Sequence, residues 1–339
     1  MMKKLTENQI ATIKKILIIQ YKPFGDILLN TAYLPALRKR FPDAEINFLV
    51  QKPYKTLLED NPILDNLVLM EKKKGFAQYI ERIKVIKLVR KSGYDLIIDE
   101  LRGTGSAQIT LFSGAKFRLG WKLKRWNWVY NLQEPRENIR YYGLLKFDSL
   151  KPLGIEAEIA DTYYKIKEKS QEKIDKWLKE VGLEKKRYIV VSPGTPVLVK
   201  QWSLDSYAIV CDRIQRELRI PVVMMWGPGE MKDVDYIMSK MKTKPVVALP
   251  TTFNEAAAML YRSKMFFGND GGINHVAIAE NVPSLAIFGP HSNPKKWQAW
   301  HKEQHVYLRN WDCKDKYDRT LGITPEFAFK QFKKLLGVI

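Results

Sequence analysis

The sequence predicts an α/β protein built from two doubly wound domains, each a parallel sheet flanked by helices. Three observations predict it. Short continuous apolar runs alternate with helical spacing along most of the chain, as expected of parallel sheets covered on both faces. The 339 residues allow about two domains at roughly 150 residues each. The stretch 265–290, MFFGNDGGINHVAIAENVPSLAIFGP, spells one βαβ unit: a buried strand at 265–267, a glycine loop, a helix at 273–280 and a second strand at 284–288. Two such domains are expected to face each other across a central cleft, where ligands prefer to sit.

Taken in order, the first half offers apolar strands at 16–20, 45–50, 67–70 and 94–99, with helices at 27–40 and 76–91. Between 116 and 150 the pattern loosens, and KFRLGWKLKRWNW sets five basic residues among three tryptophans. Pro152, Gly154 and a charged run place the domain junction within 151–170, giving an N-terminal domain of 1–160 and a C-terminal domain of 161–339. Strands resume at 188–191, 221–226, 246–249, 265–267 and 284–288. The last helix opens at Pro325, a good first-turn residue, and runs to 336. No internal repeat or low-complexity tract interrupts the alternation.

Hydrophobic content of 45% and charge of 28% are those of a soluble globular chain and exclude wholesale disorder. The 57 lysines and arginines outnumber 37 acidic residues, a formal +20, which favours nucleic acid, phospholipid headgroups or phosphorylated substrates without choosing among them. Two cysteines, Cys211 and Cys313, cannot make a disulfide framework, so a reducing compartment is the default. The N-terminal apolar run is too short for a signal peptide and no stretch reaches the ~18 residues of a membrane span. A cytoplasmic protein, at most resting against a membrane, is expected.

Several residues are placed for chemistry. Gly271 and Gly272 let backbone N–H groups close around an anion at the start of a helix, with the Asp270 carboxylate beside it and His275 one turn in. An ordinary turn, capped by Asp270 and with His275 packed in place, is slightly favoured on this stretch alone. Asp26, opening the first domain's first long helix, is either an N-cap or a carboxylate free to take a proton from a hydroxyl; position alone favours the cap. In the second domain Gly194 and Thr195 follow a strand, Lys200 precedes a helix where it could neutralise a diphosphate, and Glu230 could accept from ribose hydroxyls. Lys200 also reads as a surface lysine, and Glu230 as a first-turn glutamate. The D-x-D at Asp233 and Asp235 falls within a helix, where its two members diverge. The four histidines show no zinc spacing, and no metal site is expected.

Together these stretches resemble glycosyltransferase family nine, the ADP-heptose:lipopolysaccharide heptosyltransferases. ILIIQYKPFGDILLNTAYLPALRKRFPDAEINFLV resembles the family's opening strand, G-D loop and helix. YDLIIDELRGTGSAQITLFSGAKFRLGW resembles its middle segment, and VVSPGTPVLVKQWSLDSYA its phosphate segment. FGNDGGINHVAIAENVPSLAIFGP is similar to its D-[S/T]-G-x-x-H-x-A signature, with Gly271 where serine or threonine is usual. The resemblance implies a GT-B fold, with the acceptor on the N-terminal domain, the nucleotide sugar on the C-terminal one, and the last helix packing back on the N-terminal domain. It implies inverting transfer with no obligatory metal or cofactor, from an ADP-heptose-like donor to a lipopolysaccharide-type or other glycan acceptor. Asp26 would be the general base; Gly194, Thr195 and Lys200 would hold the donor phosphates and Glu230 the ribose; Asp270, Gly271, Gly272 and His275 would form the sugar–diphosphate pocket.

For the basic stretch 116–128, two readings stand: Lys122, Lys124 and Arg125 touch anionic lipid or an acidic acceptor, or the stretch is a solvated loop with its tryptophans turned inward. Two other functions compete with glycosyl transfer. A nucleic-acid-binding protein would explain the charge, but no helix-turn-helix, RRM or zinc-finger pattern supports it, and no nucleic acid is expected. A nucleotide-sugar epimerase would share the fold.

Overall fold

The computed structural model describes residues 4–135, 140–157, 161–315 and 317–338. It divides into two units, 1–165 and 166–339. The boundary expected at 160/161 adjoins residues 158–160, which lie outside the described residues.

The first unit runs α1 (Glu7–Ala11), β1 (Lys15–Ile19), α2 (Phe24–Leu29), α3 (Leu34–Arg40), β2 (Glu45–Gln51), β3 (Asn66–Met70), α4 (Phe76–Ser92), β4 (Leu96–Asp99), α5 (Thr104–Phe112), β5 (Phe117–Lys122), β6 (Leu132–Pro135) and α6 (Tyr142–Asp148). Its six strands are all parallel in the order β3-β2-β1-β4-β5-β6. The order reverses between β1 and β4, the switch point at whose carboxyl ends such sheets bind ligands. Four β1 residues, Ile16 to Ile19, are fully buried, which accounts for the unbroken apolar run in the sequence.

The helix expected over 27–40 is three pieces. Between α2 and α3 lies a 3-10 stretch, Asn30–Tyr33. The Thr31 hydroxyl donates to the Leu28 carbonyl at 2.6 Å and the Asn30 amide to the Asp26 carbonyl at 2.7 Å. Pro35 brings no N–H to the ladder. Local side-chain bonds and a missing donor thus tighten the turn.

The second unit runs α7 (Glu168–Glu180), β7 (Ile189–Ser192), α8 (Leu204–Glu217), β8 (Val222–Met224), α9 (Met231–Lys240), β9 (Val246–Val247), α10 (Phe253–Arg262), β10 (Met265–Asn269), α11 (Gly272–Ala279), β11 (Ser284–Ile287), α12 (Pro294–Trp297), β12 (His305–Leu308) and α13 (Pro325–Val338). Its parallel order, β12-β11-β10-β7-β8-β9, repeats the first unit's topology, with the reversal between β7 and β10. Arg262 on α10 ties down α7 through Asp175 at 2.8 Å, holding that carboxyl down to about 2.

Within the second unit the apolar face of α13 joins the core: Phe329, Phe332 and Leu335 are buried with Trp202, Tyr207 and Phe267. Burying a side chain of that size contributes roughly 1.5–3 kcal/mol, so α13 is an integral layer of this unit. Among the described residues no helix is long and apolar enough to cross a membrane.

Candidate functional site

In the second unit the site is built by one buried tryptophan. Trp202 is fully buried, edge-on to Tyr207 at 5.0 Å and Phe267 at 6.0 Å. Its indole N–H donates to the carbonyls of Thr320 and Ile323 at 3.0 and 3.1 Å. Its backbone N–H donates to Asn269 Oδ1 at 3.0 Å, and Asn269 Nδ2 donates to the Pro193 carbonyl at 2.8 Å. Asn269 therefore stitches three loops together: the one after β7, the one before α8 and the one after β10. A glycine is required nearby, because a Cβ at Gly268 would stand 2.8 Å from the Ser192 carbonyl oxygen.

This stitching fixes Lys200, two residues before the anchored tryptophan, against Asp270, one residue after Asn269. Lys200 Nζ lies 2.7 Å from Asp270 Oδ2, which also accepts the Ser292 hydroxyl at 2.6 Å. The Asp270 side chain is 4% exposed and that of Lys200 29%. Lys200 is thus no ordinary surface lysine: its charge compensates a buried carboxylate while its head still reaches solvent.

Beside this pair a cavity of about 370 Å³ opens at the carboxyl ends of β7, β8 and β10, and Gly194, Thr195, Glu230, Gly271 and Gly272 all line it. Glu230 is the residue before α9, and its carboxylate folds back so that Oε2 accepts the Gly227 N–H at 2.8 Å. Its other oxygen takes no hydrogen bond among the described residues. Gly271 stands at the N-cap of α11 with extended backbone, φ −165° and ψ −178°, and a Cβ there would meet only the Asn269 carbonyl oxygen at 3.9 Å. His275 is buried one turn into α11, edge-on to Trp297 at 6.0 Å, and is not among the cavity's lining residues.

The close fit makes a prediction. A methyl group at Gly194 would overlap the Glu230 carboxylate, so Gly194→Ala should swing Glu230 off the Gly227 N–H. Nucleotide affinity measured by calorimetry should fall roughly tenfold, the worth of one charged hydrogen bond, with little change in melting temperature.

In the first unit Asp26 is the third residue of α2, immediately past β1. The helix is capped by Pro23, without a side-chain bond, which corrects the reading of Asp26 as an N-cap. The carboxylate is half-buried and takes no hydrogen bond or ion pair among the described residues. The neighbouring helix α6, which packs on α2, carries Lys146, buried against Glu100 at 3.0 Å, with Ser149 and Trp121 also donating to Glu100. Next to it burial raises the Asp99 carboxyl, although Tyr130 donates to it at 2.5 Å. Lys122, the last residue of β5, and Lys124 and Arg125 in the turn after it are exposed. Of the three tryptophans there, Trp121 is buried, Trp126 half-buried and Trp128 69% exposed, so they are not all turned inward.

Asn269, Ser292 and Gln201 escaped the sequence reading. Gln201 donates to Asp233 at 2.8 Å, which gives one member of the D-x-D a structural task. Asn269 was visible inside the glycine loop. Ser292 could have been found only from topology, as a hydroxyl just past β11, the strand beside β10. Among the described residues no group of three or more His, Cys, Asp or Glu side chains is arranged to hold a metal ion.

Two sheets of this order, the second with polar groups gathered around its switch point, define a protein of the two-domain GT-B class. Among solved structures, the glycosyl transferase family 9 protein from Veillonella parvula superposes with a TM-score of 0.85 at 23% identity, covering 96% of this chain and 98% of that one. E. coli heptosyltransferase WaaC, solved with ADP-2-deoxy-2-fluoro heptose, superposes with a TM-score of 0.72 at 17% identity, covering 94% of this chain and 99% of that one. The lipopolysaccharide heptosyltransferase 3 of Escherichia coli K12 is 26% identical over 287 residues, 81% of this chain and 82% of the relative. The model of glycosyltransferase family 9 (heptosyltransferase) matches residues 82–323. The chain belongs to that family and is a glycosyltransferase.

Proposed function

We propose that this enzyme moves a heptose from an ADP-heptose-like donor to a hydroxyl of a lipopolysaccharide-core-type acceptor, inverting the anomeric centre. The observation that carries the reading is the Lys200–Asp270 pair set beside a cavity lined by Thr195, Glu230 and the glycine turn. The relatives' names supply the sugar and the acceptor: they are lipopolysaccharide heptosyltransferases, and one is solved with an ADP-heptose analogue.

The chemistry follows from the charges. A sugar leaving its nucleotide diphosphate builds negative charge on the departing oxygen while the ring becomes cation-like. Lys200, Thr195 and the backbone N–H groups at 271–273 receive that charge without any obligatory metal, in a partly dry site where such donors act most strongly. Gly194 permits the close approach, the unpaired oxygen of Glu230 takes a ribose hydroxyl, and His275 shapes the sugar end from beneath. Asp26 takes the proton of the attacking hydroxyl, which inversion requires to arrive from the face opposite the leaving group. Lys122, Lys124 and Arg125 contact acidic groups of the acceptor. The enzyme would work in the cytoplasm, at the inner face of the membrane.

Native mass spectrometry against ADP-, UDP- and GDP-sugars tests the donor. ADP-heptose should bind and release ADP only when an acceptor is present. Preference for a UDP- or GDP-sugar would overturn the donor assignment, and sugar rearrangement without acceptor would mean epimerisation instead of transfer.

A further inference from the structure

Helix α4 carries apolar residues on two opposite sides. Val85 and Val89 are buried, with Ile86 packed beside them, against the first unit's sheet. Phe76, Tyr79, Ile80 and Ile83, spaced i, i+3, i+4, i+7, share the outer face. They are 78%, 58%, 45% and 53% exposed. Single exposed apolar residues are ordinary, whereas four large ones on one helical face mark an interaction surface. Around them the segment 71–92 holds eight basic residues and two acidic ones. Lys72, Lys73 and Lys74 lie just before the helix, and Lys84, Lys87 and Lys91 along its outer side, all exposed. The acidic pair is already engaged: Glu71 is salt-bridged to Lys52, and Glu81 accepts the Glu71 N–H at 2.8 Å.

We infer that this face of α4 docks the enzyme on an anionic lipid bilayer, with Phe76, Tyr79, Ile80 and Ile83 in the headgroup–acyl boundary and the flanking lysines on lipid phosphates. The apolar row needs a non-aqueous partner and the basic frame an anionic one, and an acidic bilayer surface supplies both. A second copy of the chain supplies only the first, because a symmetric contact would set the two basic frames against each other. A nucleic acid backbone supplies only the second. The inference stands on the helix itself and holds whichever sugar or nucleotide the enzyme uses.

Co-sedimentation of the full chain with vesicles of phosphatidylcholine, with and without phosphatidylglycerol, tests it. Each basic residue near such a surface is worth about fivefold in partitioning. Neutralising Lys72, Lys73 and Lys74 to glutamine should therefore weaken binding to the anionic vesicles roughly a hundredfold, and added salt should weaken the wild type likewise. Phe76→Ser with Ile80→Ser and Ile83→Ser should reduce it by about tenfold or more even at low salt. These exposed substitutions should leave the melting curve unchanged. Equal binding of the wild type to both vesicle types, wild-type binding by either variant, or a dimer in sedimentation that Ile80→Ser dissociates would each overturn the inference. Failure to bind ADP would strike the proposed donor and leave the vesicle result standing.

Discussion

Asp26→Asn is expected to lower turnover by about 10²–10⁴-fold, the usual worth of general-base catalysis, while the donor dissociation constant stays within about twofold. The expectation rests on what the carboxylate is not doing. Pro23 occupies the cap position, and the Asp26 carboxylate takes no hydrogen bond or ion pair among the described residues. Helix stability gives only a small reason for an acid here, the dipole's preference for negative charge in the first turn, about 0.3–1 kcal/mol, so its removal should lower thermal melting only slightly. An amide keeps the shape and loses the basicity, so the loss should fall on kcat and leave donor KM nearly alone. Near-normal turnover by Asp26→Asn would remove the base from the mechanism.

Lys200→Ala should have a different signature. It should weaken donor binding and slow transfer together, by roughly 10²–10³-fold in kcat if the lysine meets the developing charge. It should also cost stability, because among the described residues the 4%-exposed Asp270 side chain would keep only Ser292 as a partner; leaving such a group under-paired costs about 1–3 kcal/mol. Pairing Lys200→Ala with Asp270→Asn removes both charges and should recover much of the melting temperature without recovering transfer. Calorimetry with ADP and single-turnover kinetics on the three variants separate the effects. Should the double variant regain transfer along with stability, Lys200 would be a scaffold for Asp270 and nothing more.

Strands buried on both faces were legible because each reads as an unbroken apolar run: β1, β2, β10 and β11 fall within a residue or two of their expected places. Three strands were not. In β5, FRLGWK, charges alternate with apolar residues; β6 ends on Pro135; β12, HVYL, is an edge strand with half-buried residues. β6 and β12 are edge strands, and β5, though paired on both sides, carries Arg118 and Lys122, so none of the three shows the run that marks a buried strand. The outer face of α4 was equally hidden, since its exposed and buried apolar residues cancel any one-sided pattern. At the site, the turn at 268–272 announced itself through its glycines. The pairing of Lys200 with Asp270 did not, because it depends on Asn269 and Trp202 meeting across 67 positions of sequence.

Gly271 has a consequence for how this enzyme could diversify. Its backbone is extended and the space over its α-carbon is open, so the turn does not depend on glycine's special freedom. A serine or threonine would fit without moving the sheet, adding an alcohol directly beside the cavity that we propose holds the nucleotide. Donor preference can therefore drift by one exchange at this position while folding is held constant, a route by which related enzymes could part ways in the sugar they choose.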